Sequence, residues 1–293
     1  MQAPQQEYLQ LFENSRPRLL GIAYRMLGSR ADAEDILQEA CVRWLAQEST
    51  EPESAQAWLT TVTTRLCIDY LRRAHVKREC YAGTWLPEPV DFIDDSEDPV
   101  DIAQSLHTAF LLLLEILSPT ERAVFLLREV FNYEYRDIGA VLKLSDANCR
   151  KLLSRARRKI EDRKPRIEPD RGKQTELVQH FQQAIEQEDL TQFEQVLARD
   201  AILYSDHGGK ALAARRPIFS RDKIARLLMG LRRKQAHEDQ HVELRTVNQG
   251  SGLLFYQSGR LHTVMTFLVE NGMIRAVYVV RNPDKLRQFS PSV

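Results

Sequence analysis

The stretch "EYRDIGAVLKLSDANCRKLLSRARRKI", residues 134–160, decides the reading of this chain. Its apolar residues recur at helical spacing on either side of a break at "KLS". The pattern predicts a helix of about nine residues, a turn of three or four, and a helix of about fourteen, which is a helix-turn-helix. Ile138, Val141 and Leu144 are expected to pack beneath, with Leu152 and Leu153 supplying contacts from the second helix. Gly139 is expected where the helices cross, because a small residue permits close approach there. Ser145 is the natural N-cap of the second helix. The first turns of that helix offer Asp146, Asn148, Arg150 and Lys151, of which Arg and Asn can hydrogen-bond to base edges in a major groove. Arg155, Arg157, Arg158 and Lys159 suit phosphates, which give affinity without sequence readout. The same pattern also describes a helical hairpin with a solvated basic face.

Charge distribution favours the nucleic-acid reading. The 293 residues carry zero net charge, 43% hydrophobic and 28% charged residues. Yet residues 86–105 hold seven Asp/Glu and no Lys/Arg, and residues 150–173 hold eleven Lys/Arg against four Asp/Glu. A balanced total can therefore conceal a basic footprint. The length suggests two or three domains. Cys41, Cys67, Cys80 and Cys149 form no CxxC pair, which suits free thiols in a reducing compartment. The N-terminal residues show no signal-peptide pattern, and the longest apolar run, "AFLLLL" at 109–114, is too short to span a bilayer. A cytoplasmic protein with no membrane partner is expected.

Working outward, residues 5–78 read as three helices. Leu19, Ile22, Ala23, Met26 and Leu27 mark the apolar face of the first. Gly28 ends it and Ser29 caps the next. On that second helix Asp32, Asp35 and Glu39 share one side. Ile36, Leu37, Ala40, Trp44 and Leu45 occupy the others. Three acids on one face are usually only solvated, but they also suit an Arg-rich partner. The third helix offers Trp58, Leu59, Val62, Leu66 and Tyr70 to an apolar face. It also carries Arg65, Arg72 and Arg73, and aromatics interleaved with bases can hold single-stranded nucleic acid. Residues 79–103 lose periodicity and contain three prolines and an acidic run, a linker signature. "SPTE" at 118–121 is a capping box with Pro119 at the first helical position. After the basic segment "RKPRIEPDRGK", two helices, a third helix and five strand-like runs predict an α+β domain.

"AYRMLGSRADAEDILQEACVRWL", "AWLTTVTTRLCIDYLRR" and "LSPTERAVFLLREVFNYEYRDIGAVLKLSDANCRKLLSRARRKI" together resemble the extracytoplasmic-function (group IV) sigma factors of RNA polymerase. "YAGTWLPEPV", "DHGGK" at 206–210 and "NPDKL" at 282–286 resemble the subfamily carrying a fused C-terminal SnoaL-like domain of NTF2-like fold. The fold class so implied is multidomain. An all-α sigma region 2 bundle spans 1–80, a linker 81–103, and an all-α region 4 domain with its helix-turn-helix 104–166. An α+β NTF2-like cone domain spans 174–293.

The resemblance also implies roles. Asp32, Asp35 and Glu39 would contact the β′ clamp helices of core polymerase, with the β flap as a further contact. Trp58, Arg65, Arg72 and Arg73 would open and hold the minus-ten element, including the melted non-template strand. Ser145, Asp146, Asn148, Arg150, Lys151, Arg155 and Arg158 would read the minus-thirty-five element as duplex. Trp85, Leu86 and Pro87 of the linker, with Asp206, Asn282, Pro283, Asp284, Lys285 and Leu286, would form an interdomain regulatory contact. That contact would act in cis, in place of a separate anti-sigma factor. The chain departs from the family pattern at Arg65, where many relatives carry Asn, and at His207, where the motif has Gly. No heptad seam is present, so a monomer is expected.

The same residues admit three other readings. A stand-alone helix-turn-helix regulator with a ligand-sensing domain would need no acidic polymerase-binding face. A SnoaL-type enzyme would use His180, Tyr204, Asp206 and His262 turned into the cavity. "HEDQH" at 237–241 matches a zinc-peptidase pattern, but such a site needs both His on one buried helix and a third ligand. The segment is flanked by "GLRRKQA" and a strand, so no metal, cofactor or catalytic residue is expected.

Overall fold

The computed structural model describes residues 3–46, 54–79, 81, 83–91, 107–161, 163, 170–235, 239–287 and 289. The chain forms two compact units. One comprises residues 1–79 and 113–164, the other residues 80–112 and 165–293. These divisions differ from the four segments read from the sequence, and the reason lies in residues 81–112.

The first unit begins with α1 (Ala3–Leu27), α2 (Arg30–Leu45) and α3 (Ala55–Glu79). Leu19, Ile22, Ala23, Met26 and Leu27 are all buried, as their spacing predicts. Gly28 ends α1 with a positive φ of 67°, a conformation that costs glycine least. Ser29 then caps α2, accepting from Asp32 N at 3.2 Å. Along α3 the buried face runs through Leu59, Thr60, Thr63, Thr64, Cys67 and Leu71. Trp58, Val62 and Tyr70, expected on that face, are only half-buried. The buried threonines shift the packed stripe, because their methyl groups fill space that periodicity of apolar letters does not count.

A fourth helix, α4 (Thr108–Leu114), passes from the second unit into the first. Then come α5 (Pro119–Phe125), one π turn over Leu126–Val130, α6 (Tyr135–Leu142) and α7 (Asp146–Glu161). The capping box of α5 is complete: Ser118 accepts from Glu121 N, and Glu121 accepts from Ser118 N at 2.9 Å. Between α6 and α7, Lys143 adopts a left-handed conformation (φ 57°, ψ 46°). A Cβ on Gly139 would meet the Leu144 carbonyl at 2.6 Å. Gly139 therefore makes room for the turn itself, rather than for a crossing of helix axes.

The second unit holds α8 (Arg171–Glu186), α9 (Leu190–Val196), β1 (Leu197–Asp206), β2 (Ile218–Phe219) and α10 (Arg221–Gln235). It continues with β3 (Gln240–Val247), β4 (Gly250–Gln257), β5 (Arg260–Glu270), β6 (Met273–Val280) and α11 (Pro283–Leu286). The sheet order is β2-β1-β6-β5-β4-β3. β1 and β6 are parallel and the other pairs antiparallel. The two-residue β2 leaves no trace in periodicity.

Side chains alternate across the sheet. Leu203, Val277 and Val279 join one cluster with Phe181 and Phe193 of α8 and α9 and with Ile224 and Leu228 of α10. Tyr204, Tyr278 and Val280 face the opposite way, into a cluster with Leu86, Ala109, Leu286 and Phe289. Leu86, from the expected linker, and Ala109 of α4 thus help to cover the second face of the sheet. A half-covered apolar sheet would leave that cluster in water, at a cost of roughly 25 cal/mol per Å². Residues 92–103 lie outside the described residues.

Candidate functional site

α7 buries Cys149, Leu153, Ala156 and Ile160, at spacings of three and four. This one-sided anchoring leaves Ser145, Asp146, Asn148, Arg150, Lys151, Arg155 and Arg158 exposed. Leu152, expected to pack, is only half-buried because it falls off that stripe. Ser145 Oγ accepts from Asn148 N at 3.3 Å, fixing the helix start. Arg150 lies over the Tyr135 ring at 4.8 Å, a cation–π contact that orients its guanidinium. Arg157 is tied to Glu129 at 2.7 Å and Lys159 to Glu121 at 2.7 Å. Lys159 and the hydrogen bonds from Ser118 hold the Glu121 carboxyl below its ordinary range, against the opposing effect of burial, which is the largest single influence on it. Arg155 and Arg158 make no ion pair among the described residues.

On α2, Asp35 and Glu39 are exposed and Asp32 half-exposed. Glu39 accepts from Arg43 Nε at 2.8 Å. Val42, 63% exposed, and Leu45 extend this outer face beyond the acids. Their exposure was not legible from apolar letters that fit either face. On α3, Trp58 packs at a tilt against Trp44, ring centroids 5.3 Å apart, and Trp44 Nε1 donates to the Tyr8 carbonyl at 2.7 Å. Arg72 and Arg73 are exposed, and both lean on Asp69. Arg65 is placed otherwise. Its Nε donates to the Val141 carbonyl at 2.7 Å and its Nη2 to the Ala140 carbonyl at 3.2 Å. It thereby satisfies the last carbonyls of α6, where a cation also suits the helix dipole. Arg18 and Tyr133, which sequence reasoning missed, add a second tie: Arg18 Nε donates to Tyr133 Oη at 3.3 Å, and Tyr133 Oη lies 3.1 Å from Thr60 Oγ1.

A separate constellation lies in the second unit around Asp206, which is fully buried. Asp206 Oδ1 accepts from Tyr81 Oη at 2.6 Å and from Gly208 N at 3.2 Å. Its Oδ2 accepts from Leu86 N at 2.9 Å and pairs with Lys285 Nζ at 2.7 Å. Lys285 also donates to the Leu86 carbonyl and lies 4.4 Å over the Trp85 ring. Asn282 donates to Tyr81 Oη at 2.9 Å and caps α11. Burial, and secondarily the Asp206 carboxylate, push the Tyr81 phenol well up. Asp284 pairs with Lys210 and Arg287 at the surface. Farther along, Val90 N donates to Asn248 Oδ1 at 3.0 Å, and Arg245 pairs with Asp91 at 3.0 Å. The structure thus brings Trp85, Leu86, Asp206, Asn282 and Lys285 together. Tyr81 and Val90, the ends of the "YAGTWLPEPV" stretch, complete the arrangement with Asp91, Arg245 and Asn248, to which no motif pointed.

Residues 11–76 match Sigma-70 region 2, and residues 107–160 match Sigma-70, region 4. The chain is 34% identical over 287 residues to the ECF RNA polymerase sigma factor SigJ of Mycobacterium tuberculosis, covering 94% of this chain and 91% of that protein. The chain belongs to the extracytoplasmic-function RNA polymerase sigma factors. It is also 28% identical over 277 residues to the probable ECF RNA polymerase sigma factor SigI of the same organism, covering 92% of each. The crystal structure of the M. tuberculosis sigma factor SigJ superposes with a TM-score of 0.76 at 32% identity, covering 97% of this chain and all of that one. As a sigma factor, the chain directs RNA polymerase to promoters, and its two helical sigma regions bind core enzyme and DNA. The mixed α/β domain fits an NTF2-like fold.

Several expectations for this sigma factor change with the structure. His207 occupies the motif position of a glycine, yet the turn takes its positive φ at Gly208 and Gly209 instead. Space for His207 comes from Gly83, where a Cβ would meet its ring at 2.7 Å. His180 is exposed, and Tyr204 and Asp206 face the linker side, so neither joins His262 at the cavity. Tyr204 and Asp206 are therefore separated from His262, because strand alternation sends them to opposite faces of the sheet. Of "HEDQH", residues 237 and 238 lie outside the described residues. Gln240 and His241 are in β3, which cannot place two His on one helical face. Among the described residues no helix is long and apolar enough to cross a membrane.

Proposed function

We propose that this sigma factor recognises paired minus-ten and minus-thirty-five elements and that its C-terminal domain controls it in cis through the linker. Asp32, Asp35 and Glu39, with Val42 beside them, dock the β′ clamp helices. Trp58, Arg72 and Arg73 serve the minus-ten element, and Arg65 joins them once it leaves the α6 carbonyls. Ser145 through Arg158 read the minus-thirty-five duplex, and the β flap holds region 4. No separate anti-sigma factor is required, and the chain performs no catalysis.

The observation that carries the regulatory part is the buried Asp206–Lys285 pair closed over the Leu86 backbone. Residues 80–112 connect the two sigma regions in the chain, and Asp206 holds part of that connection on the sheet. While held, the tether is short; when released, it gains length and freedom. A ligand or partner that prefers one state shifts the population accordingly. The test is run-off transcription with purified core polymerase, comparing the full chain with Asp206→Asn and Lys285→Met. A change in promoter output at unchanged core affinity supports control through the linker. Identical output from all three proteins refutes it.

A further inference from the structure

Between the sheet and helices α8 and α10 lies a cavity of about 350 Å³, within the size range of small-molecule sites. Its wall is apolar: Leu203, Leu228, Phe255, Met265 and Val279. Its polar groups are few and gathered. Ser205, Arg232, Gln240, His262, Thr263 and Arg281 line it, and His262 Nδ1 lies 2.7 Å from Thr263 Oγ1. No Asp or Glu lines it.

Arg281 is the informative residue. It lies just past β6, and its Nη1 donates to the Leu212 carbonyl. Its Nε–H is buried and finds no acceptor among the described residues, and Arg281 makes no ion pair among them. A half-buried guanidinium without a carboxylate is costly, since desolvation is not offset by an opposite charge. Burial pushes this guanidinium below its ordinary value. Leu212, on the same cavity rim, is 87% exposed, so an apolar side chain stands in water at the mouth. Together these features place a cation inside the cavity and an apolar lip outside.

We infer that this cavity binds a small amphipathic carboxylic acid, its carboxylate on Arg281 and its hydrocarbon part along Leu203, Phe255 and Met265. The half-buried Arg281 guanidinium balances one negative charge, with Thr263 and His262 as further polar partners. Arg232 lines both this cavity and a neighbouring depression whose wall includes Glu186. Arg281 directly precedes Asn282, so the anchor and the linker clamp share one stretch of chain. The binding inference does not depend on the regulatory reading.

The test uses octanoate and octan-1-ol, titrated calorimetrically into the full-length chain. One octanoate is expected per chain, bound more tightly than octan-1-ol on the order of tenfold or more, the worth of a charge-assisted hydrogen bond. Arg281→Gln removes that preference, and Met265→Trp, which fills the cavity, removes both ligands. The inference is overturned by absence of saturable octanoate binding or by equal affinity for the alcohol. It is equally overturned if octanoate binds undiminished to either variant. The acid–alcohol comparison is made on the unaltered chain, so it holds even where a variant misfolds.

Discussion

Lys285 holds its ammonium 2.7 Å from Oδ2 of Asp206, a carboxylate with no solvent exposure, and the Leu86 N–H completes that oxygen's coordination. Removing one member of such a pair leaves a buried charge uncompensated. Asp206→Ala is therefore expected to destabilise the second unit by about 3–5 kcal/mol. Hydrogen exchange should rise first at residues 83–91, whose backbone the pair secures. Unchanged protection there would show that apolar packing of Leu86 alone holds the segment.

Gly83 and His207 form a size-matched pair. Gly83 has φ 90° and no room for a Cβ beside the imidazole. Gly83→Ala should cost about 1–3 kcal/mol through strain and overpacking. Adding His207→Gly should return the overpacking part but not the backbone part. A double-mutant cycle by chemical denaturation measures the difference. Strict additivity would mean that the two residues do not share the space.

His107 predicts a pH dependence. It is fully buried, and burial pushes its imidazole from 6.5 down to about 4, with a smaller upward effect from a hydrogen bond to the Phe267 backbone. The unfolded chain then takes the proton first. Stability is fully present above the unfolded value and is lost as pH falls toward the folded one. The expected loss between about pH 7 and about pH 5 is about 2 kcal/mol. Urea denaturation of the full chain and of His107→Gln across that range should give a flatter curve for the variant. Parallel curves would assign the acid sensitivity to other groups.

Arg65 should matter to the helical unit before any DNA is present. Arg65→Ala removes two hydrogen bonds to α6 carbonyls and is expected to cost about 1 kcal/mol, allowing for partial exposure. Thermal unfolding of the full chain reads this directly. A gain in stability would mean that the contact is strained rather than supportive.

On α7, if it reads the minus-thirty-five duplex as proposed, Arg155→Ala and Arg158→Ala should each weaken promoter binding across all sequences. Each should flatten the dependence on log salt by about one unit. Arg157→Ala should change that slope less, since Glu129 already engages it. Asn148→Ala should instead relax base preference at one position, by about 1–3 kcal/mol. Fluorescence anisotropy with duplexes at several salt concentrations separates these outcomes.

Much of this molecule was legible in the letters. The helix-turn-helix, the capping box at Ser118, the break at Gly28 and five of six strands follow from local rules. Their causes act within a few residues: apolar spacing, a capping hydroxyl, a glycine that tolerates positive φ. The exposed basic face of α7 followed as well, because burying one stripe of a helix determines what the other presents.

Only the tertiary structure decided the rest. Residues 83–91 contain prolines and acids and read as a spacer, yet Leu86 packs on the sheet and its N–H is held by Asp206, 120 positions away. Arg65 looked like a nucleic-acid contact but found α6 carbonyls 75 and 76 positions on. Asp206 and His262 carried the letters of an acid–base pair, and strand register placed them on opposite sides of the sheet. Hydrogen bonds and ion pairs of this kind join groups with no shared periodicity. Local sequence determined the elements here, and the partners of each buried charge were settled only when distant segments came into contact.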